Sequence, residues 1–236
     1  MQTERDAAIV EWIGRIGAAE AIQVGLRFGM SRSGAYERLR ALVADGLLER
    51  HALLHRQPAL YTATRQGLRW QGQQALGPQR LNPANFQHAR TVTGVVVDLE
   101  RTLPGWRVVG EREIRHHEHD QGELLASIQP PGSNGNGPAV HRPDLALLGP
   151  QDEVVAVEVE LTAKAPRRLV QICRGWARAR HIHHTHYLTV PRVEGALERA
   201  IQDTRAQDRI TVLALTDIDA LAGALTGEGV AGAGIR

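Results

Sequence analysis

Apolar residues recur at helical spacing three times near the start of the chain. Residues 5–17, "RDAAIVEWIGRIG", place Ala8, Ile9, Trp12, Ile13 and Ile16 on one face, and Gly17 then permits a turn. Residues 18–29, "AAEAIQVGLRFG", predict a second short helix closing at Gly29. A third follows Ser31, a good N-cap, with Ala35, Leu39, Leu42 and Val43 inward and Gly46 as its stop. The period then shortens. "LLERHALL" and "ALYTAT" read as two strands joined by the polar "HRQP", and Thr64 can cap a further helix.

Periodicity fades in "QGQQALGPQRLNPANF", which is rich in Gln, Gly and Pro and predicts a linker over 73–85 between domains at 1–72 and 86–222. Beyond it, Val92, Val95, Val96 and Leu99 mark a helix. "WRVVGEREIR" reads as a strand, and a long loop containing "QPPGSNGNGP" is expected to be mobile. "HRPDLALLG" and "EVVAVEVEL" are two more strands. "APRRLVQICRGWARAR" is a helix, "HYLTV" a strand, "VEGALERAIQD" a helix and "RITVLAL" a last strand. This order predicts a mixed α/β sheet with helices on both faces, so the chain as a whole is of the α/β (α+β) class. Residues 223–236 have little to bury and are expected to fray.

Charge sharpens the division. Residues 1–80 carry 11 arginines against 7 acids, while residues 81–236 carry 17 basic against 19 acidic groups. A basic first half points to double-stranded DNA as partner. Arg32, Ser33, Tyr36, Glu37 and Arg40 of the third helix would face out, where a major groove could receive them, with Arg56 at the tip of the hairpin near phosphates. Solvation of a helical surface is the plain alternative. A single cysteine, Cys173, excludes an internal disulfide framework and fits a reducing compartment. With no apolar run suited to a membrane helix and no signal peptide at "MQTERDAAIV", a cytoplasmic protein is expected.

The segment "VVAVEVELTAK" raises the main chemical question. Alternation puts Val155, Val157, Val159 and Leu161 on one face, and Val154, Ala156, Glu158 and Glu160 on the other. Two carboxylates so placed repel unless a cation or water intervenes. Asp144, just after Pro143 on the preceding strand, can lie beside them, and three carboxylates with waters suit Mg²⁺ or Mn²⁺. A solvated sheet end with no ligand is the competing reading. Lys164 is the chain's only lysine, the other 27 basic residues being arginine. As a compact point charge it suits work beside a water and a metal.

Several stretches resemble known families. "FGMSRSGAYERLRALVADGLLER…YTATRQG" resembles winged helix-turn-helix regulators over about residues 6–70. "PD" at 143–144 followed by "EVE" at 158–160 resembles the PD-(D/E)xK nuclease superfamily, whose core order matches residues 86–190. That resemblance implies a restriction-endonuclease-like domain in which Asp144 and Glu158 hold the metal. It departs at Glu160, which stands where a lysine is usual, and makes Lys164 a migrated equivalent. It adds Glu100 and Gln171 as accessory residues. The two together are similar to the bacterial replication-relaxation (plasmid mobilisation-associated) proteins over most of residues 6–215. This implies DNA binding tied to plasmid or mobile-element replication, transfer or regulation, with dimers common among winged helices.

Two functions stay open. In one, Asp144, Glu158, Glu160 and Lys164 form a Mg²⁺-dependent endodeoxyribonuclease centre. In the other, a non-enzymatic regulator uses the second domain only to dimerise or extend its DNA contacts, with Arg112, Arg115 or Arg142 brought to DNA by the loop. The histidine runs at 116–119 and 181–186 lack the spacing of a zinc site and are expected to be solvated or DNA-facing. Cys173, beside Leu169 and Ile172 on an amphipathic helix, is expected in the core. The glycines of "GSNGNG" do not sit between a strand and a helix as in a phosphate-binding loop.

Overall fold

In the computed structural model, residues 2–131 and 140–226 are described. The glycine-rich stretch expected to be mobile and the last ten residues fall outside them. The chain divides into two compact units, residues 1–97 and 98–236.

Unit 1 begins with helix α1 (Glu4–Ile16), whose N-cap Thr3 and N3 residue Asp6 bond reciprocally. Its inward face differs from the expected one by a small rotation. Ala8 is exposed, while Asp6 and Val10 are buried with Ile9, Trp12 and Ile13. The two-residue strand β1 (Ala19–Glu20) leads into α2 (Ala21–Phe28), and α3 (Arg32–Ala44) starts on Ser31, whose Oγ accepts from the Gly34 amide at 3.1 Å. Strands β2 (Leu48–His51) and β3 (Leu60–Ala63) form an antiparallel hairpin, and β1 adds to the other side of β3, giving the order β1-β3-β2. Thr64 caps α4 (Arg65–Trp70) as expected, its Oγ accepting from the Gly67 amide at 3.0 Å.

The expected linker holds a short 3₁₀ turn at Gln74–Leu76 and the start of helix α5 (Pro83–Thr102). Most of α5 belongs to unit 1, not to the second domain where the sequence placed it. The reason is specific bonding. Phe86 is fully buried with Ala18 and Leu60, Thr93 Oγ donates to the Ala18 carbonyl at 2.6 Å, and Arg90 pairs with buried Glu20 at 3.1 Å.

Unit 2 is built on a five-stranded sheet of order β4-β5-β6-β7-β8. Strands β4 (Arg107–Gly110), β5 (Leu145–Leu148) and β6 (Val154–Glu160) run antiparallel in sequence, and β7 (His184–Thr189) and β8 (Ile210–Ala214) extend it in parallel. Parallel neighbours need crossovers, supplied by α7 (Pro166–Arg178) and α8 (Pro191–Thr204). Leu169, Ile172, Cys173 and Trp176 of α7 pack with Leu197 and Ile201 of α8 over Ala146, Ala156 and Tyr187 of the sheet. Alternation places Leu147, Val155 and Val157 on the opposite face, and these are buried too. The class is therefore mixed α/β, as expected.

Two elements depart from the sequence reading. The strand expected over 106–115 ends at Gly110, and residues 111–121 form helix α6 (Glu111–Gln121) where the rest of that strand and the start of a loop were expected. Glu113 reaches back to the Gly110 amide at 3.4 Å, a capping interaction that starts a helix rather than extending a strand. At the far end, Gly223–Thr226 close a last helix, α9 (Ile218–Thr226), whose Ile218, Leu221 and Ala222 are buried. The expected tail is thus shorter by four residues.

Candidate nucleic-acid interface and acidic strand end

The outward face of α3 carries the side chains expected there. Arg32, Ser33, Tyr36, Glu37 and Arg40 are exposed, while Ala35, Leu39 and Leu42 are fully buried and Val43 half-buried. The Arg32 guanidinium lies 5.8 Å from the Tyr36 ring centroid, a cation–π contact that holds both side chains upright. Ser33 Oγ is 3.2 Å from Ser31 Oγ. Arg38, one position round the helix, turns inward to Asp6 at 3.2 Å and is spent there. Arg56 is exposed between β2 and β3 with a φ of 57°, a left-handed conformation that marks a tight turn at the hairpin tip. Between α3 and the hairpin lies a cavity of about 330 Å³ lined by Tyr36, Glu37, Arg40, Val43, Arg50 and Tyr61. Arg50 and Tyr61 are cross-strand partners and so leave the sheet on the same side.

In unit 2 the carboxylates sit where alternation put them, but they are not solvated. Glu158 is 4% and Glu160 5% exposed, because α7 covers the face they share with Ala156. Each has its own partner. His141 Nε2 donates to Glu158 Oε1 at 2.5 Å, and the Lys164 ammonium bonds Glu160 Oε2. Asp144 lies at the entry to β5, as expected, and its Oδ2 accepts from the Val159 amide at 2.8 Å. A strand can therefore end in two buried glutamates when each negative charge is met on a different side. Among the described residues, no three His, Cys, Asp or Glu side chains converge as metal ligands. Glu100 is half-buried near the end of α5 and Gln171 half-buried on α7.

The surroundings of Glu158 are apolar and electrostatically tense. Burial, then the Glu158 charge, push the Cys173 thiol up to about 12, so it packs as a small hydrophobe and is no nucleophile. Burial and the same carboxylate hold the Tyr187 hydroxyl well above its usual value, while Trp176 Nε1 donates to it at 3.2 Å. Trp176 also stands edge-on to His141 at 5.7 Å.

His141 was not singled out in the sequence. It precedes the strand, so alternation says nothing of it, and its only signal is its place two residues before Pro143. Glu118 was also missed. It is buried on α6, accepts from the amides of Leu125, Ala126 and Ser127, and pairs with Arg142 at 3.2 Å. This corrects the expectation that a loop carries Arg112, Arg115 and Arg142 to DNA. The first two lie on α6, where Arg115 pairs with Glu111, and Arg142 is held inward by Glu118.

Within 181–186, His181 and His183 are exposed, as expected, although each also makes a hydrogen bond, while His184 is half-buried and His186 buried. His183 Nδ1 accepts from the Val154 amide at 3.0 Å, His181 Nε2 meets the Ser127 carbonyl at 3.0 Å, and His184 Nε2 meets Thr211 Oγ at 2.8 Å. His186 shares the strand face with His184, their rings 4.7 Å apart, and is 3% exposed. On α6, His116, His117 and His119 are exposed as expected.

Comparison of the chain with protein-family models, with curated proteins and with solved structures gives no match. Among the described residues, no helix is long and apolar enough to cross a membrane.

Proposed function

We propose that the protein binds double-stranded DNA through unit 1, which we read as a winged helix-turn-helix. The observation that carries this reading is the pairing of element order with exposure. Three helices and a β1-β3-β2 sheet leave α3 with one buried apolar side and one exposed side bearing Arg32, Ser33, Tyr36 and Arg40, while Arg56 stands at the hairpin tip. An exposed helix with arginines at its start suits a major groove, and a hairpin tip suits an adjacent backbone or minor groove. The "PD…E-x-E…K" order adds the resemblance to replication-relaxation proteins. On it rests the further reading that the DNA belongs to plasmid or mobile-element replication, transfer or regulation.

We read unit 2 as a nuclease-like fold used without cleavage, extending the DNA contact or pairing two copies. What favours this is the internal balance of the acids. Carboxylates are suitable donors for Mg²⁺ or Mn²⁺, but His141 and Lys164 already meet Glu158 and Glu160, and Asp144 is bonded to the β6 backbone. The residues as arranged do not fit a preformed cation site, and no step is derived through one. One observation keeps a cleaving domain as a second reading: the chain's only lysine lies directly on the acidic strand end.

Fluorescence anisotropy on a labelled duplex tests the first reading. Arg32→Ala, Arg40→Ala and Arg56→Ala should each weaken binding, and each lost phosphate contact should flatten the log–log salt dependence by about 0.9. No salt-dependent binding by the wild type would sink it. Nicking of supercoiled plasmid in Mg²⁺, with calorimetric titration of Mg²⁺ into wild type, Asp144→Ala and Lys164→Ala, decides between the two readings of unit 2.

A further inference from the structure

The outer face of α7 carries a feature that neither the DNA-reading helix nor the acidic strand end uses. The helix sequence "PRRLVQICRGWAR" contains four arginines and no acid. At 100° per residue, Leu169, Ile172, Cys173 and Trp176 fall on one side, and all four are buried in the core of unit 2. Arg167, Gln171, Arg174 and Arg178 fall on the diametrically opposite side, within a strip about 60° wide. Arg167, Arg174 and Arg178 are all exposed, and among the described residues none of their three side chains forms a hydrogen bond or an ion pair.

Arg180, Arg199 and Arg205 are also exposed without a side-chain partner among the described residues. What marks α7 is that three such arginines share one strip of one helix, while other arginines of the unit are committed. Arg107, Arg115 and Arg142 each pair with a glutamate, and Arg209 is bonded to the Ala179 and Ile182 carbonyls. A helix whose outer face was only solvated would ordinarily mix signs, because like charges at i and i+4 destabilise it by a few tenths of a kcal/mol. Here Arg174 and Arg178 stand at that spacing with no acid on the helix to offset them. A polyanion supplies the missing charge.

Geometry narrows the class of polyanion. The stripe runs eleven helical steps from Arg167 to Arg178, about 16 Å, and duplex DNA carries one phosphate per about 1.7 Å of axis. Three guanidiniums on such a line can each reach a backbone phosphate with bidentate geometry. A lipid surface is disfavoured because the apolar side of α7 is already committed to the core and has nothing left to insert.

We propose that Arg167, Arg174 and Arg178 of α7 form a sequence-independent contact to the phosphate backbone of duplex DNA. This extends the reading of the protein as a DNA binder, and assigns unit 2 its own part in it. The contact accounts for a unit with near-neutral charge overall still engaging a polyanion, since the charge that matters is the uncommitted part.

The test uses the full chain, a labelled duplex of arbitrary sequence, and salt as the variable. The triple change Arg167→Gln, Arg174→Gln, Arg178→Gln should lower the slope of log K against log salt by about 2 to 3, one phosphate per arginine. The triple Arg→Lys variant should keep most of the slope, since the contact is a charge contact first. An unchanged slope in the Gln variant overturns the proposal. So does a loss in the Gln variant confined to vesicles of phosphatidylglycerol, with duplex binding intact. A parallel Arg32→Ala, Arg40→Ala variant keeps the two claims apart. If it leaves binding untouched while the α7 variant abolishes it, α7 stands and the α3 reading falls. Because all three α7 positions are exposed, far-ultraviolet dichroism of the Gln variant should match the wild type.

Discussion

Removing His141 tests whether the buried strand end of unit 2 is held by charge balance. The side chains of His141 and Glu158 are 13% and 5% exposed and meet at 2.5 Å, so the pair is inside the protein. Deleting one member of such a pair strands the other charge and costs about 3–5 kcal/mol, whereas an exposed pair is worth under about 1 kcal/mol. The edge contact with Trp176 at 5.7 Å goes too, but it adds only about 0.5–1 kcal/mol. His141→Ala should therefore cost about 4–6 kcal/mol. Glu158→Gln should cost less, about 1–2 kcal/mol, because an amide oxygen can still accept from the imidazole. In the double variant the stranded charge is gone, so its cost should fall at least about 1 kcal/mol short of the sum. A chain of two units need not unfold in one step, so the readout is hydrogen exchange at the β6 amides rather than a global midpoint. A His141→Ala cost below about 1 kcal/mol, or simple additivity, would refute the idea that His141 satisfies the buried Glu158 carboxylate.

Three further outcomes are expected. Burial, with His184 alongside, lowers the His186 imidazole from 6.5 to about 4, so the unfolded chain binds the extra proton between those values. Stability from this group is complete above pH about 6.5 and is lost as pH falls toward 4, by at most about 3 kcal/mol; His186→Gln should flatten that part of a urea-midpoint profile against pH. Gly67→Ala would put a methyl 2.2 Å from the Leu47 carbonyl oxygen, which is backbone and cannot step aside, so the thermal midpoint of unit 1 should drop by an amount equal to about 2 kcal/mol or more. Asp6→Ala removes both the capping bond to the Thr3 amide at 2.7 Å and the partner of Arg38, and should cost about 2–3 kcal/mol by urea denaturation, with Asp6→Asn recovering part of the capping share.

Much of the fold was legible where one face of an element is apolar. The stripes of α3 and α7, the cap residues Ser31 and Thr64, and the β-branched run of β6 all lie where periodicity put them. Helix α6 was illegible for a physical reason. Its buried residues are Ile114 and Glu118, so its inward side is held by a carboxylate that takes backbone amides instead of by an apolar stripe. Strand β1 is two residues long, too short to show a period, and exists because Ala19 and Glu20 find Tyr61 and Leu60 across the sheet. The linker was misplaced because one aromatic, Phe86, and two polar anchors, Arg90 and Thr93, outweigh the Gln- and Pro-rich composition before them. At the acidic strand end, alternation gave the shared face of Glu158 and Glu160, but not that each glutamate had a separate partner. That depends on where His141 falls beyond the strand, which only tertiary structure decides.

The arginines show why charge counts by half-chain are a coarse guide to partners. The first half is basic and the second slightly acidic. Yet Arg38 of the basic half is consumed by buried Asp6, and buried Glu20 of that half is met by Arg90 from beyond it. In the acidic half, Arg142 and Arg209 are consumed likewise, while the outer side of α7 keeps three arginines without partners. An ion pair already made inside the protein adds almost nothing to the field outside, because its two charges cancel at distances beyond their separation. The charge available to a ligand is therefore what remains after internal pairs are removed. On that basis the outward side of α3 in unit 1 and the outer side of α7 in unit 2 stand out, while at the acidic strand end Glu160 is already paired with Lys164 and Glu158 is already hydrogen-bonded to His141.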